Sequence, residues 1–439
     1  MSEWQQVTLH EVCSFKRGLS YSGSDVKEDT PSGIPFITIK NFHKGGGFNF
    51  SGFKKYIGKN HADFTVSPGD LLIANTDVTR NADIIGSAII APEVDGDIAF
   101  SMDVTHLDVD KNKASPAFVC YRLLLDDARE HMKGASAGST VLHLNLKQAS
   151  AFPFKIPTKS EQKVIARILD TLDTQIQKTE ALIAKLEKVK EGLLHDLLTR
   201  GIDENGQLRP SPEQAPELYK ESPLGLIPRE WACVAIGETA TSTTLGTANR
   251  GADSAGKTKL IKMGNLDWGN TLSILDVESI SASKVQDGLF LNDADLLFNT
   301  RNTPELVGKT CSWKGDGSLF TFDNNILRLR FSENLNGHFV ASYMGGAIGR
   351  RRIGRLATGT TSVAAIYWRS LSRMELPMPS PDEQQLIVDK IDSSQKNINA
   401  LNDGLTSLQR LKVGLMDDLL TGRIRVTPLL KQTQATTPA

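Results

Sequence analysis

The chain has 439 residues, 39% of them hydrophobic and 23% charged, with a formal net charge of −1. This length predicts a globular protein of two or three domains, and no apolar run is long enough for a membrane span. The first residues lack the pattern of a signal peptide, and the four cysteines form no Cys-x-x-Cys pair. We therefore expect a cytoplasmic protein with reduced thiols and no metal site. The charge leaves nucleic acid binding open, since a binder needs its Lys and Arg gathered on one face.

The first half of the chain begins with strand patterns and ends in a long helix pattern. Short apolar runs near residues 35–39 and 70–74 are bounded by Gly, Asn or Pro, as strands often are. Thr158 and Glu161 have the spacing of a capping box, and Gly201 suits the left-handed end of a helix. We expect an α/β domain and then a helix: residues 1–157 for the domain and 158–200 for the helix.

The second half repeats the first after a polar segment rich in Pro and Gly. Residues 375–392 match 153–170 at an offset of 222, and the same offset relates 412–421 to 190–199. Ser380, Pro381 and Gly422 give the second helix the start and end signals of the first. The predicted segments are a linker over 201–227, a second α/β domain over 228–379, a second long helix over 380–425 and a mobile tail over 426–439.

Both predicted helices carry one apolar stripe with the spacing of heptads. Lys190 and Lys412 interrupt this stripe at equivalent positions. The simplest way to bury both stripes is to pack each helix on the other as an antiparallel coiled coil. The alternative is two separate core helices in two domains. The fold class is α/β, with two similar domains, each followed by a long helix.

The repeated motifs are similar to those of a known family. Four motifs resemble those of the specificity subunits of type I restriction-modification enzymes. They are the Pro-x-x-x-Glu-Gln helix start at 157–162 and 379–384, LLTRGIDENG at 197–206, SPLGLIPREW at 222–231 and LLTGRIRV at 419–426. The resemblance implies that each α/β domain recognises half of a split double-stranded DNA target, while the paired helices act as a spacer. It also implies two methyltransferase (modification) subunits and two translocase/endonuclease (restriction) subunits as partners. Adenine would be methylated at N6, with S-adenosylmethionine, ATP and Mg on those partners.

Two other kinds of function stay open from the sequence. Residues 251–258 (GADSAGKT) match the phosphate-binding pattern GxxxxGK[ST], which would suit a nucleotide-binding enzyme. A working phosphate loop follows a buried strand and opens a helix, whereas here no apolar run precedes and a strand pattern follows. A flexible basic loop near DNA is therefore favoured. The other alternative is a coiled-coil scaffold that binds proteins. No catalytic motif is found, so we expect a non-catalytic subunit with no cofactor of its own.

Loops after the predicted strands carry residues that could contact DNA. Phosphates require cations and hydrogen-bond donors, while base edges require donors and acceptors in fixed patterns. The alternative for each such residue is a solvated loop position. We expect DNA contacts among Lys40, Asn41, His43, Lys44, Thr76, Arg80, Asn81, Ser139, Thr140, Lys262, Asn265, Arg301, Asn302, Arg350, Arg351, Arg352, Thr360 and Thr361.

Overall fold

A computed structural model describes residues 4–28, 30–79, 81–249, 256–275, 277–286, 288–360 and 362–430. The chain forms two compact units: unit 1 is Met1–Glu180 with Asp403–Ala439, and unit 2 is Ala181–Asn402. The division falls inside the two longest helices, so each unit contains part of both. Among the described residues, no helix has the length and apolar character that crossing a membrane requires.

Unit 1 contains fourteen short strands and four short helices in its described part, and it shares two long helices with unit 2. The helices are α1 (Leu9–Val12), α2 (Pro116–Leu123), α3 (Asp126–Gly134), α4 (Leu146–Ser150) and α5 (Lys159–Thr199), whose first part belongs here. The strands are β1 (Gln5–Thr8), β2 (Cys13–Arg17), β3 (Val26–Lys27), β4 (Ile34–Ile37), β5 (Lys54–Tyr56), β6 (Thr65–Val66), β7 (Leu71–Ala74), β8 (Thr76–Asp77), β9 (Ala88–Ile90), β10 (Ile98–Phe100), β11 (Val104–Val109), β12 (Ser136–Ala137), β13 (Leu142–Leu144) and β14 (Pro153–Ile156).

Unit 2 repeats this order of elements. Its helices are α6 (Ile236–Thr239), α7 (Gly337–Gly345), α8 (Ala347–Gly354), α9 (Trp368–Leu371) and α10 (Pro381–Leu420), whose last part belongs to unit 1. The strands are β15 (Tyr219–Ser222), β16 (Gly225–Pro228), β17 (Ala232–Ala235), β18 (Ala240–Leu245), β19 (Thr258–Ile261), β20 (Leu266–Asp267), β21 (Thr271–Leu272), β22 (Glu278–Ile280), β23 (Leu296–Asn299), β24 (Arg301–Asn302), β25 (Thr310–Ser312), β26 (Phe320–Phe322), β27 (Ile326–Phe331), β28 (Thr358–Gly359), β29 (Ala364–Ala365) and β30 (Glu375–Met378).

Equivalent strands form equivalent sheets in the two units. The four-stranded sheet has the order β2-β11-β7-β9 in unit 1 and β18-β27-β23-β25 in unit 2. A second sheet contains β3-β5-β4-β10-β6 in unit 1 and the shorter β22-β19-β26 in unit 2. One of the two inner strands of the first sheet is fully buried in both units, at Leu71–Ala74 and Leu296–Asn299. The predicted pair of similar α/β domains is therefore confirmed.

The long helices pack on each other within each unit, in antiparallel order. In unit 1, Ile165 and Leu169 of α5 share a core with Met416 and Leu419 of α10. In unit 2, the core joins the end of α5 to the start of α10 through Leu197, Leu198, Ile387 and Val388. The early part of one helix thus meets the late part of the other, as the heptad stripes predict.

The two lysines that interrupt the apolar stripes have polar partners on the facing helix. The Lys412 ammonium forms an ion pair with Asp173 in unit 1. Lys190 donates to the side-chain oxygen of Gln395 in unit 2. A half-buried ammonium needs such a partner, so each lysine favours one alignment of the helices over shifted ones.

The repeated Glu-Gln pair at the helix starts ties each helix to the unit around it. The side chain of Gln384 is fully buried. It accepts from the backbone N–H of Asn336 at 2.7 Å and donates to the carbonyls of Asn334 and Pro379, both at 2.9 Å. Gln162 makes the equivalent bonds in unit 1, accepting from Ser115 N at 2.8 Å. These bonds satisfy a buried amide, whose desolvation would otherwise be costly.

Glu383 is the centre of a buried polar network in unit 2. Its carboxylate accepts from the Arg209 guanidinium, from the Ile202 backbone at 2.8 Å and from the Trp231 indole at 3.0 Å. The backbone N–H of Glu383 donates to the Ser380 hydroxyl at 3.3 Å, which is one half of the predicted capping box. The Glu383 carboxylate itself is directed to the network.

In unit 1, Glu161 combines both roles. It accepts from the Thr158 backbone at 3.3 Å, as in a capping box, and from two Arg425 nitrogens at 3.0 and 2.7 Å. Thr427 also donates to Glu161, at 3.2 Å, and Val426 is buried. The tail predicted to be mobile from residue 426 therefore begins with packed residues, while 431–439 lie outside the described residues.

The segment interpreted as a linker also has ordered structure. β15 and β16 form an antiparallel hairpin within residues 201–227 and just beyond. Tyr219 and Ile227 are buried, and the Tyr219 hydroxyl donates to the Pro210 carbonyl at 2.6 Å. Its Pro and Gly content reflects tight turns, such as that at Gly225 with φ of 94°.

Two glycine substitutions are expected to have opposite effects on stability. Gly404→Ala, inside α10 where an added Cβ meets nothing within 4 Å, should stabilise unit 1 by about 0.5–1 kcal/mol. Gly201→Ala should destabilise unit 2 by about 1–3 kcal/mol, because φ is +66° and the Cβ would lie 2.2 Å from Glu383 Oε1. Hydrogen exchange of peptides from each unit would measure both, and a stabilising Gly201→Ala would contradict the prediction.

Candidate nucleic-acid interface

A small three-stranded sheet in unit 1 collects several predicted residues. β13 lies between β12 and β8, and His143 is directly opposite Thr76 on one side and Ala137 on the other. The hairpin joining β12 to β13 turns at Gly138, with φ of 141°, where a Cβ would lie 2.0 Å from the Val141 carbonyl. Only glycine fits this backbone. Ser139 and Thr140 are exposed at the tip of the hairpin.

The loop after β8 is held by a buried carboxylate. Asp77 accepts from the backbone N–H of Thr79, Ile84 and Ile85 at 2.7, 2.6 and 3.0 Å. Burial alone would raise the pKa of Asp77, but these backbone bonds outweigh it and lower that pKa. Asn81 is exposed on this loop, and Arg80 lies outside the described residues. Asp77 therefore holds the shape of the loop, and other side chains form the loop surface that could contact DNA.

A second loop, over residues 38–49, joins this surface. The Lys44 ammonium lies 2.8 Å from the Asp83 carboxylate, so the loop meets the segment after β8. Lys40 and His43 are exposed, whereas Asn41 is fully buried. Asn41 accepts from Thr38 N at 2.8 Å and donates to the Asn49 carbonyl at 2.9 Å. Asn41 thus holds the loop, and we keep Lys40, His43 and Lys44 as candidates for direct contact.

The same loop geometry recurs in unit 2. Asn265 accepts from Lys262 N at 2.8 Å and donates to the Ser273 carbonyl at 3.1 Å. Both Asn41 and Asn265 therefore donate to a carbonyl eight residues later in the chain. The Lys262 ammonium is paired with Glu278. The sequence repeat therefore predicted equivalent loops, and the structure gives the two asparagines a structural role.

The three-stranded sheet also recurs, with different side chains. In unit 2, β29 lies between β24 and β28, and Ala365 is directly opposite Arg301 and Thr358. Arg301 is exposed, and Asn302 is half-buried. The hairpin turns at Gly359, with φ of 149°, followed by exposed Thr360. Thr361 lies outside the described residues.

The arginine run at 350–352 lies on α8 and has partners elsewhere in unit 2. Arg350 donates from Nε to the Gly345 carbonyl at 2.6 Å, and its guanidinium lies 5.2 Å from the Trp268 ring. Arg352 is 3.9 Å from the Glu375 carboxylate, and Arg351 is exposed. Within the described part of the chain, no hydrogen bond or ion pair of these three arginines involves a residue of β24, β28 or β29. Arg350–Arg352 are therefore a separate group from Arg301.

The sequence analysis did not identify His143. His143 is exposed on the middle strand of the sheet, between Thr76, which was a predicted DNA contact, and Ala137, which was not. The only signal in the sequence is its equivalence to Ala365 in the repeat, which does not mark a polar position. Pairing with Thr76, 67 residues earlier, brings it to the candidate interface.

The comparisons with known proteins agree with this architecture. Residues 1–188 match the family model of the type I restriction modification DNA specificity domain. The chain is 24% identical to the MjaVIII specificity subunit of Methanocaldococcus jannaschii, over 73% of each chain. It is 19% identical to the StySPI specificity subunit of Salmonella potsdam, over 71% of this chain and 66% of the relative. The chain is thus similar, over more than two thirds of its length, to specificity subunits of type I restriction enzymes.

Two solved structures of the type I system have the same fold as this chain. The S subunit from M. genitalium has a TM-score of 0.59, with 14% identity, over 95% of this chain and 96% of that one. A chain from a type I complex has a TM-score of 0.52, with 16% identity, over 96% and 98%. Both cover the two repeats and the long helices.

The alternative of a nucleotide-binding enzyme is not supported. Residues 251–255 of the glycine-lysine pattern lie outside the described residues, but β19 begins at Thr258, directly after Lys257. A phosphate loop needs a helix at this point, so that the amides at its N-terminus face the phosphates.

Proposed function

We propose that this chain is a specificity subunit that reads a DNA target in two halves, unit 1 one half and unit 2 the other, and directs partner subunits to it. One observation carries the proposal. The three-stranded sheet, its glycine hairpin and the asparagine-held loop are built twice on the same scaffold, but the exposed side chains differ between the copies. A repeated scaffold with different side chains suits two readers of different sequences.

The exposed residues fit the chemistry of duplex DNA. Lys40, Lys44 and Arg301 can neutralise phosphates, and the hairpin hydroxyls of Thr140 and Thr360 can donate to phosphate oxygens. Arg301 can also bind the two acceptors of guanine in the major groove. Local placement of these cations, and not the overall charge of −1, then determines where DNA binds.

The chemistry belongs to the partners in this proposal. Modification subunits would bind S-adenosylmethionine and methylate adenine at N6, and restriction subunits would use ATP and Mg to translocate and cleave DNA. Two copies of each are proposed, with the packed helices as spacer and docking element. Support comes from the similar proteins, which are named specificity subunits of type I restriction enzymes, and from the absence of a catalytic motif in the sequence.

The proposal predicts that DNA methylation requires the partner. The chain with its methyltransferase subunit should methylate one split sequence, whereas the chain alone should methylate none. Binding of the complex to duplex DNA should weaken with salt, with a slope in log K of about −0.9 for each phosphate contact. Mapping methylated adenines and titrating salt would test both points. Methyl transfer by the isolated chain, or binding by the complex without sequence preference, would contradict the proposal.

A further inference from the structure

The three-stranded sheets of the two units present the same row of positions with different residues. In antiparallel strands, directly opposite residues place their side chains on one face, with Cβ atoms about 4.5–5.5 Å apart. The row, named here the cross-strand row, is Thr76–His143–Ala137 in unit 1. In unit 2 it is Arg301–Ala365–Thr358.

The large polar residue of the cross-strand row lies on a different strand in each unit. In unit 1 it is His143 on the middle strand, beside Thr76, which is only 7% exposed and donates to Asp103 at 3.2 Å. In unit 2 it is Arg301 on the edge strand, beside the small side chain of Ala365. Both large residues are exposed, and neither side chain forms a hydrogen bond with another residue of the described part of the chain.

The surroundings of the row are the same in both units. A glycine hairpin with exposed hydroxyls adjoins each row, at Ser139 and Thr140 in unit 1 and at Thr360 in unit 2. Hydroxyls and backbone amides at a hairpin tip suit phosphates, which fix position without reading sequence. A side chain of the same sheet can then reach a base edge while the hairpin holds the phosphate.

We propose that the cross-strand row is a base-reading position in each unit, with His143 determining specificity for the first half-site and Arg301 for the second. This proposal rests on the proposed function and names residues within it. Arg301 carries the paired donors that match O6 and N7 of guanine. His143 offers one donor and one acceptor when neutral, so it reads a single purine acceptor with weaker discrimination. His143 is thus the counterpart of Arg301.

The first test replaces each residue singly in the complex with the methyltransferase subunit. Duplexes randomised in both half-sites are selected by binding and then sequenced. Arg301→Ala should reduce the preference for guanine at one position of the second half-site by about 5–150-fold, which corresponds to 1–3 kcal/mol. His143→Ala should relax one position of the first half-site only. Arg369→Ala, an exposed arginine on α9, is the matched charge control and should change neither sequence.

The second test transplants the row. Thr76→Arg with His143→Ala gives unit 1 the arrangement of unit 2 and should create a guanine preference in the first half-site. Because Thr76 is buried, the reciprocal Arg301→Thr with Ala365→His provides a second variant, which should replace the guanine preference in the second half-site.

The outcomes separate this inference from the proposed function. Unchanged half-site sequences in folded Arg301→Ala and His143→Ala complexes would overturn the inference and leave the proposed function intact. An equal loss of affinity for all sequences would also overturn it, because it would make both residues phosphate contacts. Failure of the unmodified complex to select any split sequence would instead refute the proposed function.

Discussion

Replacing Glu383 by glutamine is expected to lower the free energy of unfolding of unit 2 by about 3–5 kcal/mol. The Arg209 guanidinium, which is about 10% exposed, then keeps only the mostly exposed Glu230 carboxylate, 3.1 Å away, as an ionic partner among the described residues. It also replaces one of the two acceptor oxygens by an NH2 group, so either the Ile202 N–H or the Trp231 indole N–H loses its acceptor. Because Glu230 lies largely in solvent, it compensates the buried charge of Arg209 poorly, so the loss should be large.

Hydrogen exchange of unit 2 peptides and urea unfolding of the full chain would measure this loss. Glu333→Gln, an exposed glutamate of the same unit, is the matched control and should stay within about 0.5 kcal/mol. Replacing both Arg209 and Glu383 by apolar residues should recover much of the stability. A Glu383→Gln protein as stable as its control would show that the network contributes little.

The equivalent glutamate in unit 1 adds a dependence on pH. Burial would raise the pKa of Glu161, but hydrogen bonds from Arg425 and Thr158 outweigh it and hold that pKa below the ordinary 4.5. A lowered carboxyl pKa contributes stability above the unfolded value, and this contribution is lost as the pH falls through the folded value. Glu161→Gln should therefore make unit 1 less stable at neutral pH and less sensitive to acid below about pH 4.5.

Gly359→Ala is expected to abolish recognition of the second half-site while leaving the first unchanged. At φ of 149° an added Cβ would lie 2.2 Å from the Val363 carbonyl, a backbone atom that cannot move alone. The hairpin must then open, at a cost of about 1–3 kcal/mol, and β28 and β29 lose the alignment that places Thr358 beside Ala365 and Arg301. Selection of randomised duplexes by the methyltransferase complex would report each half-site separately.

Gly354→Ala provides the control for this substitution. Gly354 ends α8, five residues earlier, and an added Cβ there meets nothing within 4 Å. It should leave both half-sites unchanged. Gly138→Ala, which alters the equivalent hairpin of unit 1, should abolish the first half-site instead. Loss of both half-sites in a folded Gly359→Ala protein would contradict independent reading by the two units.

Local signals explain which features the sequence predicts. The capping pair Thr158 and Glu161, the helix start at Pro381 and the left-handed ends at Gly201 and Gly422 all depend on neighbours within a few residues, and all are confirmed. The looser repeat within the domains, with an offset of 224 here, also relates residues 35–41 to 259–265, and both stretches end in an asparagine that holds the following loop. The apolar stripes were sufficient to predict helix pairing, because only one face of each helix could be buried.

Features that depend on distant partners were not predictable in the same way. Glu383 has the pattern of a capping residue, yet its carboxylate binds Arg209, 174 positions away. Asn41 is a polar residue in a predicted loop, which is typical of a DNA contact, but its side chain is buried beneath that loop. His143 gains its place only by pairing with Thr76. The run of arginines at 350–352 indicates a local positive charge. The partners of Arg350 and Arg352 depend on how α8 packs in the fold, which the sequence does not show.

The division of the chain between the units has a consequence for its synthesis on the ribosome. Unit 2 is one continuous segment, whereas unit 1 needs residues 403 onward to cover Ile165 and Leu169 and to neutralise Glu161 through Arg425. At about 5–20 residues per second, residues 181–402 take roughly 10–45 s to emerge, and the first unit waits throughout with an uncovered apolar stripe. The part made first is therefore completed last, and premature termination late in translation would leave the earliest residues unfinished.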